Sequence, residues 1–319
     1  MASNAKRGDA GLAAASTPQL LDSSTPGRPL GLLDSAVAPR KPRRPTIWSS
    51  IRRQRLASTG AILVAFFAVV AIVGPSLAPH GETEQFTKDR LQGPSARYPF
   101  GTDEFGRDVL SRLLHGARIS FEVGAIVVGI AGSLGIVFGM IAGYRRGWID
   151  NIITLLMDIV YAFPAVLLAI AVITMLGNSL TNAIIAISLV YMPPFVRVVR
   201  GASITVRHTA YVEAAHAMGA STSRILSRHV FPNITAPLIV QTSLSFAFAI
   251  LSEASLAFLG LGNKPPAPSW GSMVSSSYGF LQLDPWAAIF PGVAIALTVL
   301  GFNLLGDGLR DALDPRLRT

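Results

Sequence analysis

The sequence predicts an all-α integral membrane protein with six transmembrane helices, and three observations carry that prediction. Half of the 319 residues are hydrophobic, 14% are charged, and the mean hydropathy is +0.48; an ordinary soluble domain carries roughly 25% charged residues. Apolar runs near the length of about 20 residues that crosses a bilayer recur at 58–79, 121–143, 152–176, 180–199, 234–259 and 286–306. The basic residues cluster beside these runs, so the net charge of +9 reads as membrane orientation rather than nucleic-acid binding. With no cysteine in the chain, disulfides, thiolate metal sites and thiol nucleophiles are excluded.

Residues 1–55 are rich in Ala, Ser, Pro and Gly and end in a basic run that includes Arg40, Lys41, Arg43, Arg44, Arg52, Arg53 and Arg55. They lack the apolar surface needed to fold and read as a disordered cytoplasmic tail whose basic end lies against anionic headgroups. A signal peptide is the competing reading, but the apolar run begins too far from Met1 and is too long. Residues 56–119 then carry the first span and an external segment, and residues 120–319 a core of five spans. The tail, the Tyr144-Arg145-Arg146-Gly147 turn and the Arg197–Pro232 loop are rich in Lys and Arg, whereas the Gly177-Asn178 turn is uncharged. By the positive-inside rule both termini and the central loop are cytoplasmic.

The first span is expected to end at Gly74-Pro75 and Pro79. In the external segment, Phe100-Gly101-Thr102-Asp103-Glu104-Phe105-Gly106-Arg107-Asp108 leads into Val109-Leu110-Ser111-Arg112-Leu113-Leu114, whose period predicts an amphipathic interfacial helix. Gly135, Gly139 and Gly143 stand four residues apart in the second span, a spacing that lets another helix approach closely. The third span holds Asp158 and Pro164, and the fourth breaks at Pro193-Pro194. In the fifth, Glu253 lies among apolar neighbours. Translocation path and structural pairing are both open for Asp158 and Glu253, with pairing to a nearby arginine favoured for Asp158. Trp270 and Trp286 are placed as interfacial anchors.

The central loop, 201–232, contains Glu213-Ala214-Ala215-His216-Ala217-Met218-Gly219, with Pro232 thirteen positions further on. Good helix formers closed by a glycine predict a short helix and a turn; Ser221 caps a second short helix, which Pro232 ends. This pattern resembles the EAA loop of the membrane subunits of ABC importers. His229-Val230-Phe231-Pro232-Asn233 is similar to the dipeptide/oligopeptide and nickel branch, and the stretches at 100–120, 158–164, 258–271 and 285–311 resemble the C-type subunit of its permease pair.

The resemblance implies a type I importer permease fold with cytoplasmic coupling helices. It also implies a homologous second permease subunit, two ATP-binding subunits, an extracytoplasmic solute-binding protein and a peptide cargo. Nickel, glutathione and other small solutes are alternative cargoes. Glu213, Ala214, Ala215, Gly219 and Pro232 are then the residues that couple to the ATPases. The chain has no Gly-x-x-x-x-Gly-Lys-[Ser/Thr] phosphate loop, no His-Glu-x-x-His metal site and no Gly-x-Ser-x-Gly elbow. It therefore reads as a transport subunit without its own ATPase site, not an enzyme, and no cofactor or metal is assigned. An ATP-independent channel or secondary transporter is the reading from another class; no inverted repeat supports it.

Overall fold

A computed structural model describes residues 55–313, so the tail expected over 1–55 lies almost wholly outside the described residues. Nine helices carry the described chain: α1 (Arg55–Leu77), α2 (Val109–Arg145), α3 (Trp148–Tyr161), α4 (Ala165–Leu176), α5 (Leu180–Arg207), α6 (Ala210–Ala217), α7 (Thr222–Phe258), α8 (Trp270–Tyr278) and α9 (Trp286–Leu313). Five are long and apolar enough to cross a membrane, or six spans if the bent pair α3–α4 counts as one.

The third expected span is this bent pair. α3 and α4 meet at 92°, because Pro164 has no N–H to continue the ladder and its ring disfavours helical backbone at Phe163. The other prolines are absorbed. α5 runs unbroken through Pro193 and Pro194, where tight packing on α2 holds it on both sides. Cβ atoms added at Gly135, Gly139 and Gly143 would come within 2.4 Å of Phe195 Cβ, 2.7 Å of Val199 Cβ and 2.7 Å of the Arg200 carbonyl oxygen. The expected end of the second short helix at Pro232 is also corrected, since α7 continues through it to Phe258. A π-turn at Leu226–Val230 widens the helix immediately before that proline, which relieves the missing donor and the ring clash.

No separate interfacial helix forms at 109–114; these residues are the first turns of α2. Asp108 caps α2, its carboxylate accepting from the Ser111 N–H at 3.0 Å. Gly116, which could have broken the helix, instead gives α8 room, with an added Cβ 3.2 Å from the Trp270 ring. Trp270 is correspondingly not an interfacial anchor. It is 1% exposed, packs against Phe67 and Phe121, and donates from Nε1 to the Leu113 carbonyl at 3.1 Å. Trp286 is 41% exposed.

The 78–108 segment folds onto the start of α2 through buried polar contacts. Arg107 donates to Asp103 at 2.6 Å, Arg112 donates to the Glu82 carbonyl at 2.8 Å, and His80 lies 3.4 Å from Asp108. At the opposite end of α2, α1 and α9 close through small residues: Gly60, Gly301 and Gly308 face the partner helix with no room for a side chain. The main core lies among α2, α4, α5 and α7 around Val127, Ile173, Ile187 and Phe195.

Candidate functional site

The central loop folds as α6, a tight turn and the first turns of α7. Thr209 precedes α6; its carbonyl accepts from the Val212 and Glu213 amides at 3.0 and 3.1 Å. At the far end the chain turns at Gly219, whose φ of +79° is the left-handed region that glycine adopts without a Cβ penalty. The Gly219 N–H donates to the His216 carbonyl at 3.0 Å and the Ala220 N–H to the Ala215 carbonyl at 3.1 Å. These are the two bonds of a Schellman motif. Ser221 then caps α7.

The two alanines of Glu213-Ala214-Ala215 have opposite fates. Ala215 and Val212 point inward and are 5% and 2% exposed, and Val212 joins a small core with Val199, Ile225, Val230 and Ile234. Tyr211, Glu213, Ala214, Ala217, Met218 and Gly219 point outward, with Met218 82% exposed. No atom lies within 4 Å of a Cβ built at Gly219. A cleft of about 520 Å³ beside α6 is lined by Tyr144, Arg145, Arg207, His208, Glu213 and His216, among others. The loop therefore offers a short, rigidly capped helix with an apolar outer face and a carboxylate at its rim. Pro232 is exposed but lies in α7 beyond the π-turn, away from the α6 tip.

The two intramembrane carboxylates occupy different settings. Asp158 of α3 accepts from Arg197 of α5 at 2.8 Å, and both side chains are about half exposed; the Arg197 guanidinium sits 4.1 Å from the Tyr161 ring centroid. Glu253 is sealed at 3% exposure and accepts from Ser120 of α2 at 3.2 Å. A third carboxylate escaped notice in the sequence: Asp150, at the start of α3, takes a two-pronged contact from Arg200 at 2.5 and 2.8 Å. Its partner is 50 residues away, and no local pattern links the two.

Two family models match the chain. The model described as binding-protein-dependent transport system inner membrane component covers residues 135–319, and the N-terminal TM domain of oligopeptide transport permease C covers residues 46–94. Among curated relatives, the dipeptide transport system permease protein DppC of Alkalihalophilus pseudofirmus is 47% identical over 272 residues, spanning 85% of this chain and 90% of that protein. The glutathione transport system permease protein GsiD of Escherichia coli is 43% identical over 285 residues, 88% of this chain and 94% of that protein. Among solved structures, a chain from the MetNI methionine ABC transporter in an inward-facing conformation superposes with a TM-score of 0.53 at 17% identity. It covers 64% of this chain and 97% of that one; at this identity the likeness concerns the fold.

Proposed function

Because the chain belongs to the family of inner-membrane components of binding-protein-dependent transport systems, with the N-terminal domain of the permease C type, we propose that it carries dipeptides or similarly small peptides such as glutathione. It is a multi-pass permease subunit of an ABC importer, and ATP hydrolysis resides in partner subunits. The cargo assignment follows from the dipeptide and glutathione permeases as relatives. In our reading a homologous second permease subunit completes the path, and two ATPase subunits bind on the side of α6. A solute-binding protein delivers cargo to the surface formed by residues 80–120 and 260–285. The positive-inside rule puts α6 and both termini in the cytoplasm.

The observation that carries the coupling assignment is the α6 tip. Glu213, Ala214, Met218 and Gly219 lie on an exposed surface, while Val212 anchors the same helix to the core beneath it and Ala215 is buried on its inner face. A docking partner that pushes on this tip moves α5 and α7 with it, because α6 is joined to the first by His208-Thr209 and to the second by Met218-Gly219-Ala220-Ser221. Glu213 meets a basic group of the ATPase groove, and Ala215 and the Schellman turn hold the helix in its pose. Pro232 contributes to the shape of α7 behind the tip.

The test is uptake of a labelled dipeptide, a labelled longer peptide and labelled glutathione in cells lacking the chain and in complemented cells. Loss and rescue of one of the three identifies the cargo. No change in any of them, with the protein inserted and its ATPase bound, refutes the peptide assignment.

A further inference from the structure

We propose that the C-terminal end of α2 holds an anionic phospholipid, its phosphate on Arg145 and Arg207 and an acyl chain in the groove between α2 and α7. The inference does not depend on the cargo.

Two neighbouring clefts of opposite chemistry are the first argument. The cleft beside α6 and a groove of about 660 Å³ share Arg145 and Thr222 among their walls. The first carries the guanidinium groups of Arg145 and Arg207 and the imidazoles of His208 and His216, against one carboxylate, Glu213. The second is walled by Ile136, Val137, Met140, Ile141, Leu226 and Phe231, and Arg145 is the one charged side chain lining it among the described residues. A basic cleft and an apolar groove joined at one arginine complement an amphiphile with a negative head. A soluble anion would leave the groove empty, and a neutral lipid would leave the guanidinium groups without a counter-charge.

Depth is the second argument. Ile136 stands nine residues before Arg145, the last residue of α2. At 1.5 Å per residue the groove follows α2 for about 14 Å, close to one leaflet's half of a hydrocarbon layer about 30 Å thick. Tyr144 and Trp148 flank Arg145, and Trp148 is 72% exposed, as aromatic side chains at a membrane–water interface are. Arg145 thus stands at headgroup level with the groove beneath it among the acyl chains.

The cations are also available. Among the described residues the Arg145 side chain has no hydrogen-bond or ion-pair partner, whereas Arg200 is taken by Asp150 and Arg197 by Asp158. Arg207 donates to the Tyr144 carbonyl at 2.6 Å, with its guanidinium 5.5 Å from the centroid of that ring. This contact fixes the fork in the cleft and leaves further N–H donors for a phosphate. Basic pockets between transmembrane helices on the cytoplasmic side suit anionic headgroups in this way. A lipid here meets α2 at Arg145, α6 at His216 and α7 at Thr222, and so braces the base of the α6 tip.

The absence of cysteine permits a site-specific test. Val137→Cys, in the groove, carries a bimane in the complete importer, with any cysteines of the other subunits replaced. The complex is placed in nanodiscs of phosphatidylglycerol and phosphatidylcholine, one or the other with brominated acyl chains, and quenching is compared. Ile72→Cys, on the exposed outer side of α1, is the control. The expected result is that brominated phosphatidylglycerol quenches Val137→Cys at a lower mole fraction than brominated phosphatidylcholine, while the two quench Ile72→Cys alike. Arg145 is exposed, so its substitution leaves the helix packing in place. Arg145→Gln should lower the preference about fivefold, the equivalent of the roughly 1 kcal/mol that one basic residue contributes at an anionic surface, and Arg145→Lys should keep it. Millimolar inorganic phosphate should leave the preference intact. Equal quenching by the two lipids at Val137→Cys, a preference unchanged in Arg145→Gln, or its loss to phosphate overturns the proposal. So does the lack of quenching by either lipid, which would show another subunit covering the groove.

Discussion

Substituting Gly219 separates docking from folding, because the structure sets the two effects far apart. A residue with a Cβ at φ +79° costs about 1–2 kcal/mol relative to glycine. Steric crowding adds nothing, since no atom lies within 4 Å of the new Cβ. Both Schellman bonds survive, because they come from backbone amides. Against this loss stands the burial of Val212 in the core with Ile225 and Ile234, worth about 1.5–3 kcal/mol on its own, and Ala215 is buried as well. α6 therefore stays docked in Gly219→Ala and Gly219→Asp, and each variant inserts and purifies with stability lowered by about 1–2 kcal/mol. Uptake should divide them. Alanine retains a measurable rate, whereas aspartate, placing a second carboxylate beside Glu213 on the proposed ATPase-docking surface, is expected to abolish uptake and co-purification of the ATPase. The assay pairs detergent thermal stability with peptide uptake in complemented cells. Wild-type uptake by Gly219→Asp would refute the docking assignment; a collapse of stability would refute the structural reasoning.

Two further predictions concern the scaffold. Gly135→Leu forces a side chain where a Cβ already meets Phe195 Cβ at 2.4 Å, while Gly129 on the same helix has nothing within 4 Å. Gly135→Leu should thus cost at least about 1–3 kcal/mol and reduce the yield of monodisperse protein, with Gly129→Leu close to wild type; equal behaviour would show that α2 and α5 are not packed this way. In the 78–108 segment, burial pushes the Glu104 carboxyl above its ordinary 4.5, helped by the charge of Asp103 and opposed by a backbone hydrogen bond and by Arg107 and Arg112. The folded state then holds this proton more tightly than the unfolded chain. The contribution of Glu104 to stability is thus greatest below 4.5 and is lost as pH rises through the raised pKa. Glu104→Gln should accordingly melt above wild type at pH 8, with the gap shrinking toward pH 4; a gap that widens on acidification would reverse the sign.

What the sequence made legible was whatever is local or repeats along one helix. The spans follow from apolar length, the α2 packing stripe from Gly135, Gly139 and Gly143, and the turn after α6 from a glycine that closes a run of helix formers. Proline was the least dependable sign. Pro164 does break a span, yet Pro193, Pro194 and Pro232 stay inside helices, because packing on α2 and a π-turn compensate for what each ring removes. Composition could not decide that. Contacts between distant residues were equally hidden. Arg200 finds Asp150 across 50 positions, and Trp270 leaves the interface because Gly116, on another helix, makes room for it. The acids and bases of 103–112 were visible, but not their turn inward onto one another.

The length of α2 has a mechanical consequence. At 37 residues it measures about 55 Å, almost twice the thickness of the hydrocarbon layer. One end is clamped by the polar knot around Asp103 and Asp108, the other is wedged against Val199 and Arg200 close above α6. The polar knot and the junction of α5 with α6 are thus held at the two ends of one helix, and the sharpest bend among the apolar helices lies elsewhere, in the 92° elbow of α3 and α4.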